Sequence, residues 1–180
     1  MVRLYTRTGD SGETYCVLLK KRIGKDHVLI EALGSIDEAN SFIGLARALA
    51  RAEGFDGIDA DLEYMQRLLF KVGYTFSGKT GLLNEDDVKR LEEISDRYME
   101  GIEIKWFILP SGSQLSAALH VARSVVRRSE RAIIRAFRSE EASGMGDKEL
   151  ILRIVNRLSD ALYAIAVHVT VKTVGKLEYV

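Results

Sequence analysis

Apolar residues recur at alternating steps of three and four along most of the chain, the signature of amphipathic helices. Ile30, Leu33, Ile36, Ile43 and Ala46 predict a first helix over residues 26–52. Ile58, Leu62, Met65, Leu69, Val72 and Phe76 predict a second over 58–77. Val88, Leu91, Ile94, Tyr98 and Ile102 predict a third, opened by Asn84 with Asp87 three residues on, a pairing suited to a helix cap. A fourth follows "PSGS", with Ser113 as its cap, and extends to Arg138. Ile151, Ile154, Leu158, Leu162, Ile165 and Val169 predict a fifth, starting near Asp147. Pro110 is the only proline, so little interrupts these helices. The expectation is an all-α protein, an up-and-down five-helix bundle.

The connections "GFDG", "GKTGLL", "IKWFILPSGS" and "SEEASGMGD" are too short to be domain linkers. No internal repeat and no low-complexity segment is present. A single domain over 1–180 is expected, with an arm at 1–25, the bundle at 26–172 and a C-terminal tail at 173–180. The arm does not share the helical pattern. "YTRTGDSGET" is rich in glycine and hydroxyl residues, and "YCVLLKKRI" after it suits either a strand or an irregular arm.

The 180 residues carry 26 basic and 26 acidic side chains, so there is no global basic field to hold nucleic acid, and anion binding must be local. Cys16 is the only cysteine, which excludes an internal disulfide and a cysteine-based zinc cluster. The apolar run "ALYAIAVHVTV" is too short to span a membrane, and "MVRLYTRTGD" lacks the apolar region of a signal peptide. The reading is of a cytoplasmic protein without membrane contact.

Local anion binding has an obvious candidate. In "LHVARSVVRRSER", His120, Arg123, Arg127, Glu130 and Arg131 share one side of a helix, within roughly a third of its circumference, beside Arg128. Like charges four residues apart repel. Arginine in particular offers a fixed fork of donors that grips phosphate or carboxylate. A merely solvated face is the plain alternative, but such a face would carry more lysine and glutamate. The glycine-hydroxyl arm is a second candidate, because small residues let backbone N–H groups approach an anion closely. It is not a Walker A loop. Asp37 and Glu38 in "GSIDEANSFIG" are either surface acids or a counter-ion for a stripe arginine. Asn156, Ser159 and Asp160 in "VNRLSDALY" lie on a face otherwise rich in leucine. His27, His120 and His168 lack metal-ligand spacing; His168 reads as packed, and His120 as either a ligand contact or a helix-start residue. Cys16 reads as a small apolar residue.

Taken in order, "YTRTGDSGET", Lys25, "EALGSIDEANSFIGLA", "FILPSGS", "ALHVARSVVRRSER" and "VNRLSDALY" resemble the ATP:cob(I)alamin adenosyltransferases of the propanediol-utilisation type, over nearly the whole chain. The resemblance implies homotrimers with ATP bound between subunits. Cobalt(I) of reduced cobalamin attacks C5′ of ATP, adenosylcobalamin forms and triphosphate leaves. It also implies that Thr6, Arg7, Thr8, Gly9, Thr14, Tyr15 and Lys25 wrap ATP. Arg127, Arg128, Glu130 and Arg131 would hold the triphosphate and its Mg²⁺, with Glu130 toward the metal and Asn156 close to the nucleotide. Arg123, Arg127 and Asp37 would be central to catalysis, Asp37 pairing with Arg123 across the trimer interface. Phe107 would line the corrinoid side and keep the lower cobalt ligand away. An electron donor or a cobalamin-dependent enzyme is the implied further partner. The chain departs from the family in "LLKKR", where a glycine pair is usual, in a longer loop before Lys25, and in "PSGS" for "PGGS". Two rival readings are a non-catalytic bundle binding nucleotide or an acidic partner, and a nucleotide sensor that has lost the chemistry.

Overall fold

In the computed structural model, which describes residues 5–180, the periodic segments form five α-helices and the arm carries a small hairpin. The first four residues of the predicted arm lie outside the described residues. The helices are α1 (Val28–Ala52), α2 (Asp56–Phe76), α3 (Glu85–Met99), α4 (Gln114–Phe137) and α5 (Lys148–Val174).

The caps show why the boundaries fall where they do. The Asn84 side chain accepts from Asp87 N at 3.1 Å, and Asp87 Oδ2 accepts from Asn84 N at 3.1 Å, so two orphan donors at the start of α3 are satisfied reciprocally. Ser113 Oγ accepts from Ser116 N at 3.3 Å and opens α4. The α3 pattern overruns at its far end: Ile102 lies beyond the helix, which stops at Met99 because Gly101 turns the chain at φ +70°. Asn84→Ala should remove the reciprocal cap and lower stability by about 1 kcal/mol. For a chain this long that is roughly a 2–4 °C fall in melting temperature, readable by calorimetry.

Alanine decides which helices come closest. Ala32, Ala39, Ala46 and Ala50 of α1, Ala118, Ala122, Ala132 and Ala136 of α4, and Ala161, Ala164 and Ala166 of α5 are all buried. Side chains this short let helix axes approach, and α1 packs on α4 and α4 on α5 more extensively than other pairs. Leu62, Leu69 and Phe76 bring α2 onto α1, and Leu91 and Ile94 bring α3 onto α5. Arg47 of α1 clamps α2 through Asp59, at 2.6 Å, and Glu63. The outcome for site geometry is that α4 is central, with its apolar face shared between two helices and its arginine face left at the periphery.

The arm holds two short antiparallel strands, β1 (Glu13–Cys16) and β2 (Lys21–Gly24), with Cys16 opposite Lys21. Cys16 and Ile23 are buried against the bundle, which fixes the hairpin's inner face. At the other end of the chain, Leu109 N donates to Glu178 O at 2.9 Å and Val180 N to Phe107 O at 3.0 Å. The C-terminal tail is thereby paired with the segment between α3 and α4.

Candidate active site on the arginine face of α4

The stripe is presented as the spacing predicts. Arg127, Arg128 and Arg131 are exposed, and Arg123 is half-buried. Among the described residues, Arg123, Arg127 and Arg131 have no carboxylate within 4 Å. Arg128 differs: it pairs with Glu38 of α1 at 2.5 Å. The Arg123 guanidinium lies over the Tyr163 ring of α5, 5.4 Å from its centroid, and its Nε is buried without an acceptor. Burial, and then the charge of Arg127, pull the Arg123 pKa below the ordinary arginine value. Arg123, Arg127 and Arg131 thus repel one another without a counter-ion among the described residues, an arrangement suited to an anion.

Glu130 and Asn156 are brought together. Asn156 Nδ2 donates to Glu130 Oε1 at 3.3 Å, while Asn156 Oδ1 accepts from Arg157 at 2.8 Å. The amide is oriented on both sides, at the edge of the arginine row. Beside the row lies a cleft of about 460 Å³, walled by Pro110, His120 and Val121 and edged by Arg128 and Arg131. His120 proves to be buried in the second turn of α4, so it is neither a helix-start residue nor a member of the wet face. His168 is packed as expected, edge-on to Tyr98.

The arm assembles a second half-site. Lys25 Nζ donates to Gly9 O at 2.8 Å, and Arg22 donates to Thr8 O at 2.5 Å. Thr6 and Thr8 hydroxyls meet at 2.8 Å, and Arg7 sits at φ +61°. A Cβ on Gly9 would come to 3.0 Å from Lys25 Nζ, so a larger residue there would have to displace the lysine tip. Thr14 and Tyr15 are on β1, Thr14 half-buried and Tyr15 exposed. The departure "LLKKR" spans the hairpin turn and the start of β2, and in the turn Lys20 takes up the left-handed conformation, φ +52°, that glycine adopts most readily. Among the described residues, no hydrogen bond or ion pair joins this half-site to the α4 arginines of the same chain.

Asp37 is exposed on α1, at the rim of a groove of about 230 Å³. Phe70 and Tyr74 of α2, both more than half exposed, border it. Asp37 does not reach Arg123 within the chain. Phe107 is 75% exposed, with the Trp106 ring edge-on at 6.0 Å. Among the described residues no cluster of three His, Cys, Asp or Glu side chains could hold a metal ion by itself.

These features define a helical bundle with a row of unpaired arginines on one face and a glycine-hydroxyl loop apart from it. Comparison with known proteins places it more narrowly. Residues 4–169 match the family described as cobalamin adenosyltransferase. The corrinoid adenosyltransferase of Bacillus subtilis is 41% identical over 185 residues, covering 99% of this chain and 92% of that one. The corrinoid adenosyltransferase PduO of Salmonella typhimurium is 33% identical over 91% of this chain and 48% of its own length. A variant of the PduO-type ATP:corrinoid adenosyltransferase of Lactobacillus reuteri, solved with cobalamin and ATP, superposes with a TM-score of 0.87 at 30% identity, covering 99% of each chain. The chain belongs to the cobalamin adenosyltransferase family.

Proposed function

We infer that the chain transfers the 5′-deoxyadenosyl group of ATP to cobalt(I) of a reduced corrinoid, giving the adenosylcorrinoid and triphosphate. The observation that carries this is the row of Arg123, Arg127 and Arg131, uncompensated among the described residues, in a protein whose relatives carry that activity. Cobalt is the nucleophile, so no nucleophilic side chain is needed. The protein's part is positioning and charge stabilisation. Triphosphate leaves with about four negative charges, and preorganised guanidinium donors at that point lower the barrier. Anaerobic incubation with ATP and reduced cobalamin should yield adenosylcobalamin by its absorbance spectrum. Unchanged cobalamin under those conditions would exclude the reaction and favour nucleotide sensing.

We propose further that the site is shared between subunits of a homotrimer. Three observations support this: among the described residues the arm and the arginine row do not meet within one chain; among the same residues Asp37 and Arg123 both lack an ionic partner; and Phe70 and Tyr74 leave an apolar face beside Asp37. Thr6, Arg7, Thr8, Gly9, Thr14, Tyr15 and Lys25 of one subunit would wrap ATP, against Arg127, Arg128, Arg131 and Asn156 of the next. Arg128 would exchange Glu38 for phosphate. Glu130 is suited to Mg²⁺ arriving with ATP, because that ion takes one or two carboxylates together with substrate phosphates. Bound there, it would neutralise part of the phosphate charge. Phe107, exposed at the segment paired with the C-terminal tail, would face the corrinoid. A cytoplasmic setting suits a substrate such as ATP, and no helix among the described residues is long and apolar enough to cross a membrane. An electron donor that keeps cobalt reduced and an enzyme that takes the product are the implied partners.

Nucleotide binding should order the arm. Residues 5–12 are held at the surface by a few turn and side-chain-to-carbonyl bonds and 13–15 by a short two-stranded ladder, so residues 5–15 are expected to gain hydrogen-exchange protection on adding Mg-ATP. Exchange that is unchanged at saturating nucleotide would remove the arm from the site.

A further inference from the structure

His120 is only 4% exposed, and among the described residues neither ring nitrogen has a hydrogen-bond partner. One turn further along α4, the Arg123 Nε–H is buried and likewise without an acceptor. Both side chains lie against the same ring. The His120 imidazole meets Tyr163 edge-on with centroids 6.0 Å apart, and the Arg123 guanidinium carbon is 5.4 Å from that centroid. Residues three apart on a helix are surface neighbours. An unsatisfied donor and an unsatisfied acceptor therefore lie one turn apart on α4 against the same ring.

Stability does not account for an imidazole at this position. Phenylalanine would make the same edge contact with Tyr163 and bury no polar nitrogen. A carboxylate here would satisfy the Nε–H but would compete for the guanidinium with the anion that meets it from outside the chain. Imidazole does neither. Burial, and then the Arg123 charge, push its pKa down to about 4, so it is neutral near pH 7 and offers one acceptor nitrogen without adding charge.

We propose that, in the nucleotide-bound enzyme, His120 accepts a hydrogen bond from the Arg123 Nε–H, which aims the two terminal amino groups of the guanidinium outward at an external anion. His120 is then a positioning residue, acting through Arg123. The proposal rests on the reading that Arg123 meets an anion from outside its own chain, the Asp37 carboxylate of the next subunit in the proposed trimer.

The test compares His120→Phe with His120→Gln, which restores a neutral acceptor. His120→Phe should melt at the same temperature or higher, yet lose tenfold to a hundredfold in kcat/KM, the loss of one charge-assisted hydrogen bond. His120→Gln should recover most of that loss. In parallel, ring-¹⁵N-labelled protein saturated with Mg-ATP should show one His120 nitrogen shifted as a hydrogen-bonded acceptor, and the shift should vanish in Arg123→Lys. Full activity in His120→Phe, no advantage of Gln over Phe, or the signals of a free neutral imidazole in the ATP complex would each overturn the proposal. The nitrogen spectrum needs no turnover. A wild type that shows the shift but makes no adenosylcobalamin therefore sinks the functional reading while the contact stands.

Discussion

Arg127→Ala is expected to lower turnover by two to three orders of magnitude, roughly 3–4 kcal/mol of transition-state stabilisation, with little change in melting temperature. The two effects separate because of where the side chain lies. Arg127 is exposed on the polar face of α4 and makes no ion pair among the described residues, so folding does not depend on it. Its removal even relieves repulsion with Arg123 and Arg131, four residues to either side. The charge it would meet grows only as triphosphate departs, so the loss belongs in kcat as well as in kcat/KM. Arg127→Lys should recover only part of the rate, since a point charge replaces a two-pronged donor. Steady-state kinetics beside a thermal melt decides the matter. Near-normal turnover in Arg127→Ala would refute the assigned role.

The helices were legible in the sequence because their signals are local. Asn84 with Asp87, and Ser113 ahead of an apolar periodic run, are complete instructions for a helix start, and both caps form. The end of α3 was less legible: Ile102 keeps the period, but Gly101 breaks the backbone first. The hairpin was open between two readings because four-residue strands carry too little alternation to identify alone; it is settled by Cys16 and Ile23 finding the core. The arginine row was legible for the same reason as the helices, through spacing. What pairs with it was not. Glu38 reaching Arg128 depends on the α1–α4 approach set by buried alanines, and no spacing within one segment encodes it. His120 shows the same limit. On a helical wheel it joins the charged side, yet Tyr163 from a helix some forty residues later covers it. Tyr163 lay within a quoted motif and carried no signal of its own.

The Asp37 and Arg123 side chains should behave as one unit although they do not touch within the chain. Each lacks an ionic partner among the described residues, and Arg123 is partly desolvated over Tyr163, where an unpaired charge is costly. In a trimer that brings Asp37 of one subunit to Arg123 of the next, removing either partner leaves the other uncompensated, at a cost of a few kcal/mol. Asp37→Ala and Arg123→Ala should therefore each reduce activity strongly, by about tenfold to a thousandfold. The double variant should be little worse than either single one, because the second substitution removes a charge that the first had already stranded. Such non-additivity is the mark of direct coupling. A swap of the two, Asp37→Arg with Arg123→Asp, should restore subunit association better than either reversal alone. The cycle is read in kcat/KM, and the assembly by sedimentation velocity at several protein concentrations. Losses that simply multiply would remove the pairing, and a fully active species sedimenting as a monomer would remove the shared site altogether.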